Sequence, residues 1–420
     1  MRFSGLFCLL ALCSLAEAQQ SEPVVVEWDA VAILNRTEKL RGLQTRVRLE
    51  DGETVLEVRS QPAKDAAWHA KVSAPAVAVC RVDGIGSGSE GLSFEVKGDG
   101  SEHYASVCVS ETKDALSGYE AIFPLRSTEW QTVTLRWRDF VRNDVPWNAN
   151  ARLGVEDMAV SATAIQFVGF GQGQCHYKFY APSCAFDIRN VRVVSGLPDD
   201  PVPSSSKGLA RTRMLLQQKK PLKILLLGDS ITDMGGAKSY GWHCAELLRE
   251  KMGVDCQVAN AGIGGHSARH GLIVLPRSML SMPDPDLVCI MYGANDCKAA
   301  NPPFEKTGFS EAAFARNLEA LVDQVRRLTG GQADVMLLSG VPRLDKPGGT
   351  TSGAVEAIVG AVRRVASEKK TAFCDTVPAF LSLTAAEKQQ FYLDTIHQTQ
   401  AGLEFIGKLV FESLANPSSP

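Results

Sequence analysis

In the stretch Lys223-Ile-Leu-Leu-Leu-Gly-Asp-Ser-Ile-Thr232, Ile224 to Leu227 form an unbroken apolar run. That is the pattern of a parallel strand buried on both faces. The run breaks at Gly228 and delivers Asp229 and Ser230 where strand gives way to loop. In an open α/β sheet, ligands sit at that carboxyl end of the strands. A serine held there can be a nucleophile if the chain also supplies a base, a group to orient the base, and donors for an oxyanion.

Downstream, strand and helix patterns alternate. Strands are expected at 223–227, 257–260, 287–292, 335–339 and 372–374, and helices at 242–251, 268–280, 311–328, 353–369 and 400–414. Such alternation implies a parallel sheet joined by right-handed crossovers, with helices on both faces. Five strands in this span fit a three-layer α/β/α, flavodoxin-like fold with a five-stranded parallel sheet.

Upstream, the signals are of strands only. Segments 53–59, 92–97, 106–110, 120–125, 131–137 and 185–194 are short and β-branched or alternating, and turn clusters such as Lys97-Gly-Asp-Gly-Ser101 separate them. Many short strands without helices predict an antiparallel β-sandwich. Five of the six tryptophans lie here. Trp130 and Trp137 read as core residues, whereas Trp68 and Trp147, in loop contexts, are candidates to stack on sugar rings. The proline- and serine-rich stretch that follows reads as a linker, with a short helix expected within 208–220. The domain plan is therefore a leader at 1–18, a sandwich at 22–196, a linker at 197–220 and an α/β domain at 221–416.

The leader is read from Arg2, the apolar run Leu6 to Leu15, and Ala16-Glu17-Ala18, which has the form of a signal-peptide cleavage site. It predicts export, and no later stretch is apolar for long enough to span a bilayer. A net charge of -3 offers no basic excess for nucleic acid. Export permits disulfides, and Cys175 with Cys184 could close a short loop. Cys289 and Cys374, inside apolar runs, read as small core hydrophobes. Without CxxC or HExxH there is little support for a metal, and no cofactor is expected.

Four separated clusters carry the chemistry: Gly228-Asp-Ser-Ile-Thr232, Asn260-Ala-Gly-Ile-Gly-Gly-His266, Gly293-Ala-Asn-Asp296 and Asp394-Thr-Ile-His397. In this order the chain resembles the SGNH, or GDSL-type, hydrolases over 221–414. The resemblance implies Ser230 as nucleophile, His397 as base and then acid, and Asp394 as the group that orients the imidazole. It implies an oxyanion hole from the backbone N–H groups of Ser230 and Gly265 and the side-chain amide of Asn295. Gly262 is the alternative to Gly265.

Asp229 and Asp296 read as structural. His266 is a candidate substrate contact, although it and His270 read first as solvated surface, and His243 reads as an ordinary helix residue. Gln398 departs from the family, which commonly has proline after the histidine. The Gly-x-Ser-x-Gly pentapeptide of ordinary α/β-hydrolases is absent.

The first half resembles jelly-roll, galactose-binding-type modules, through Gly98-Asp-Gly100, Glu129-Trp-Gln131 with Arg138-Asp-Phe140, and Phe186-Asp-Ile188. Together these resemblances imply an exported serine esterase that removes O-acetyl groups from carbohydrate. The alternatives are a lipid esterase or lysophospholipase of the same fold and an inactive carbohydrate-binding protein.

Overall fold

A computed structural model describes residues 32–33, 43–60, 76–82, 85–111, 118–142, 162–172, 184–205, 207–296, 310–344 and 355–416. The expected leader, Trp68, Trp147 and Cys175 lie outside them, so the Cys175–Cys184 pairing does too. No helix among the described residues is long and apolar enough to cross a membrane.

The first half forms two antiparallel sheets. One is ordered β1 (Ala32–Ile33), β4 (Ala76–Arg81), β10 (Phe167–Gln172), β6 (Tyr104–Ser110), β7 (Tyr119–Pro124), β9 (Val141–Arg142). The other is β2 (Leu43–Glu50), β3 (Glu53–Ser60), β11 (Cys184–Val194), β5 (Gly91–Lys97), β8 (Gln131–Arg136). The shared core includes Phe94, Phe123, Phe170 and Phe186. Their rings meet edge-to-face with centroids 5.0–5.5 Å apart, the arrangement aromatic quadrupoles favour.

Trp137 is buried as expected, its indole N–H donating to the Ser89 carbonyl at 3.1 Å. Trp130 is not a core residue. It is half-buried, with the Arg189 guanidinium 4.2 Å from its ring centroid.

The second half is a five-stranded parallel sheet ordered β13 (Cys256–Asn260), β12 (Leu222–Gly228), β14 (Leu287–Met291), β15 (Asp334–Leu338), β16 (Ala372–Cys374). Along β12 the side chains alternate between two cores. Leu222, Ile224 and Leu226 enter one, and Leu225 and Leu227 enter the other, which is why the strand reads as continuously apolar. Helices α1 (Ala210–Gln217), α3 (Tyr240–Met252) and α9 (Gln400–Ala415) cover the first face. Helices α4 (Ala268–Ser278), α5 (Glu311–Leu328) and α6 (Val355–Lys369) cover the second.

Local signals set the helix ends. The hydroxyls of Ser310 and Thr399 cap α5 and α9 by accepting from the N–H groups of Ala313 and Gly402. Helix α3 stops at Gly253, which adopts φ +68°. Cys289 and Cys374 are buried in the first core, as their apolar contexts predicted. A smaller apolar cluster joins the sandwich to α4.

Candidate active site

The chain leaves β12 for β13 on one side and later adds β14 on the other. The crevice at the carboxyl end of β12 is therefore a topological switch point. Three of the four clusters open onto it, because each lies at the end of one of these strands: Ser230 follows β12, Asn260 ends β13 and leads into the loop to Gly265, and Asn295 follows β14.

Ser230 begins a short helix, α2 (Ser230–Asp233), and is partly exposed. Asp229 caps that helix. Its carboxylate, 1% exposed, accepts from the Ile231 N–H at 2.9 Å, as its structural reading requires.

The fourth cluster lies between α8 (Ala385–Phe391) and α9. Its loop is closed by a bridge between Tyr392 and Gln398 and by the Leu393 N–H donating to the His397 carbonyl at 2.8 Å. Two further bonds tie it to the loop after β15: Tyr392 Oη donates to the Pro342 carbonyl (2.9 Å) and the Leu344 N–H to the Thr395 carbonyl (2.8 Å). Gln398, where the family commonly has proline, is 1% exposed and donates to the Ile396 carbonyl at 2.8 Å. It stiffens the turn by packing and hydrogen bonding instead of by a fixed φ.

This loop brings His397 Nε2 to 3.0 Å from Ser230 Oγ, across 167 residues of chain. His397 Nδ1 lies 2.7 Å from Asp394 Oδ2. The other oxygen of Asp394 accepts from the N–H groups of Ile396 (2.7 Å) and His397 (2.8 Å). Burial raises the Asp394 carboxyl, but the hydrogen bonds from the His397 ring and from these backbone groups outweigh it and bring the pKa down to about 2. The carboxylate therefore stays ionised at any ordinary pH.

The loop after β13 is held close to the nucleophile. Asn260 donates to the Thr232 carbonyl at 2.7 Å and accepts from the Gly262 N–H at 3.0 Å. The Ile263 N–H donates to the Gly228 carbonyl at 2.9 Å, and the Gly264 N–H to Asp233 at 3.3 Å. A Cβ at Gly262 would come within 2.5 Å of the Asp233 nitrogen, so this glycine is required by packing against α2. Because its N–H already serves Asn260, Gly265, at φ +83°, is the better candidate oxyanion donor. The roles of Asn260 and Asp233 escaped the sequence reading. Asn-Ala-Gly at a strand end is an Asx-turn signal that would have found the first.

Asn295 is 6% exposed and donates one amide hydrogen to the His266 carbonyl at 2.8 Å, which locks the amide against the Gly265 loop. Asn295→Ala removes both the amide and this tie. A loss of about 10²- to 10³-fold in kcat, with little change in melting temperature, is expected from steady-state kinetics and calorimetry.

His266 and His270 are not on the surface as first read. They are 5% and 3% exposed, with ring centroids 5.1 Å apart. The reason is local: Ser267 caps α4, and its N–H and hydroxyl both meet His270 Nδ1, at 3.1 and 2.9 Å. Burial, with His266 and Arg269 nearby, pushes His270 well below the usual imidazole range, so it is neutral. His243, on α3, contacts Gln400 and plays no part in the site.

Asp296 accepts from the Ala268 N–H through both oxygens, at 3.2 Å each, and so fixes the start of α4. Burial raises its carboxyl to about 6 despite those bonds. With a folded pKa above the unfolded one, the native state holds the extra proton between about pH 4 and 6, and stability falls as pH rises through that window. The melting temperature of the wild type should therefore decline relative to that of Asp296→Asn between pH 4 and 7. A constant difference would assign Asp296 an ordinary pKa.

Residues 226–405 match the model of the GDSL-like Lipase/Acylhydrolase family. The isoamyl acetate-hydrolyzing esterase 1 homolog of Mus musculus is 32% identical over 125 residues, covering 29% of this chain and 48% of that protein. Its Homo sapiens counterpart is 31% identical over the same shares. The chain thus spans about half the length of the curated relatives it matches. Among solved structures, the acetylxylan esterase Axe2 of Geobacillus stearothermophilus is 22% identical, with a TM-score of 0.40 over 46% of this chain and 94% of that one. LAE5, an alpha/beta hydrolase enzyme from the metagenome of Lake Arreo, is 20% identical, with a TM-score of 0.40 over the same shares.

Proposed function

We propose, from the family match of residues 226–405, that this chain is a serine carboxylic ester hydrolase using Ser230, His397 and Asp394. The observation that carries the reading is the unbroken hydrogen-bond path from Ser230 Oγ through the imidazole to Asp394, at 3.0 and 2.7 Å.

The chemistry follows from the geometry. Asp394, ionised, accepts from Nδ1–H, so Nε2 carries the lone pair and takes the Ser230 proton as Oγ attacks the ester carbonyl carbon. The negative charge moves to the carbonyl oxygen, where the N–H groups of Ser230 and Gly265 and the Asn295 amide receive it. Collapse breaks the bond to the alcohol, which leaves with the proton from Nε2. Water, deprotonated by the same nitrogen, then cleaves the acyl-serine, releases the acid and regenerates Ser230.

The substrate we propose is an O-acetylated carbohydrate, met outside the cell after removal of the leader at 1–18. Three features support it: the leader, the appended β-sandwich with its jelly-roll resemblance, and relatives named for an acetate ester. Trp68 and Trp147 remain proposed sugar contacts, and buried His266 shapes the oxyanion loop through its carbonyl. The test is acetate release from acetylated plant, microbial and host glycans, set against hydrolysis of long-chain acyl esters. Preference for acetylated glycan is expected. Faster turnover of long-chain esters would make the chain a lipid esterase.

A further inference from the structure

We infer that the N-terminal sandwich is a working part of the active site, because it seats the loop that presents the Gly265 N–H. The inference rests on the esterase reading. Three of the four residues Gly262-Ile263-Gly264-Gly265 are glycines, so this segment has little conformational preference of its own. Its only side chain beyond a hydrogen is that of Ile263, which is 1% exposed.

Ile263 is buried in a cluster with Ile273 and Val274 of α4 and with Ile122 and Val141 of the sandwich strands β7 and β9. Tyr104 of β6 and Leu272 of α4 pack against the same cluster. The loop is thus gripped from two sides. Backbone N–H groups donating to Gly228 and Asp233 hold it toward the nucleophile, and an apolar seat shared between α4 and the sandwich holds Ile263 from behind.

A second contact also links the two halves. Asp200, between the two halves, pairs with Arg138 of the sandwich and with Arg327 of α5. These exposed pairs add orientation more than energy. The seat itself is desolvated apolar surface, where shaving a side chain leaves a void that neighbours fill by moving. Movement of Ile263 carries Gly265, two residues on, away from the carbonyl oxygen it must meet. A displacement of about 1 Å at such a group costs on the order of 10²-fold in rate. Ile122 and Val141 are therefore positioning residues: they act on the oxyanion through Ile263 and touch no substrate.

The experiment compares the wild type with the Ile122→Ala/Val141→Ala double variant and with Ile263→Ala. It uses p-nitrophenyl acetate, too small to need any sugar-binding surface, and a fluorophosphonate that Ser230 attacks with loss of fluoride. The labelling endpoint counts folded sites, and the labelling rate and kcat per labelled site report the oxyanion donors. Both rates should fall about 10- to 100-fold in either variant, with KM within 2-fold and the endpoint unchanged. Ile122→Leu, which keeps the volume of the seat, should stay within 2-fold of wild type.

Unchanged kcat per labelled site in the folded double variant would overturn the inference and make the sandwich a mere appendage. Should that variant fail to fold, Val141→Ala and Ile263→Val decide the matter. Each is then expected to lose about 2- to 5-fold per site, and no loss in either refutes the proposal. A wild type that neither hydrolyses the ester nor takes the label removes the esterase reading instead, and this one with it.

Discussion

Ser230→Ala is expected to lower kcat by about 10⁶-fold while leaving the melting temperature within a degree or two. The two halves of that outcome have separate causes. Oγ is the only atom removed, and its bond to His397 Nε2 is the link through which the imidazole acts. The main chain at 230 is held by other groups: the Asp229 cap on Ile231 and the Met234 N–H donating to the Ser230 carbonyl at 2.9 Å. Alanine also suits the first position of a helix, so the turn keeps its shape. Residual hydrolysis of 10³- to 10⁴-fold over water should survive, because the oxyanion donors remain. The measurement is acetate release by the purified variant, beside its thermal melt. Turnover equal to wild type would remove Ser230 from the mechanism.

Replacing the two groups behind the serine separates base from orienter. His397→Ala deletes the base bonded to Oγ and should cost about as much as losing the serine, on the order of 10⁶-fold. Asp394→Asn should cost less, about 10⁴-fold. Asparagine can still accept from the N–H groups of Ile396 and His397 with its carbonyl oxygen, so the loop stays folded. Its NH₂ then faces His397 Nδ1, which must accept rather than donate. The proton moves to Nε2, the nitrogen 3.0 Å from Ser230 Oγ, and that nitrogen can no longer take a proton from the serine. Steady-state kinetics on a single acetyl ester would show the order. An Asp394→Asn loss equal to or greater than that of His397→Ala would mean that the carboxylate does more than orient.

The five strands and the longer helices of the α/β half could be read before any coordinates, and the reason lies in how they are buried. Strands such as β14 and β15 are covered on both faces, all five residues of each being buried, so their apolar runs are continuous. The amphipathic helices 311–328 and 400–415 carry their own caps in sequence. In the sandwich the same procedure found six strands and missed others. In β2, Arg46 and Arg48 interrupt the pattern, and only the fold brings Arg48 to Glu57 and Asp187. In β10, Gly169 and Gly171 lower the strand signal of a segment paired on both sides.

The site divides in the same way. Which residue types stand at the strand ends is written in the four clusters, because each cluster is local. That His397 lies 3.0 Å from Ser230 could not be, since a loop pinned to the segment after β15 carries it there. The seating of Ile263 against Ile122 and Val141 likewise belongs to packing between segments distant in the chain. By itself the sequence determined the strands and long helices of the α/β half and the chemical groups at the strand ends, through short-range periodicity and turn chemistry. The tertiary structure alone decided the distances between those groups and which surfaces cover them, because both depend on long-range contacts that no local pattern encodes.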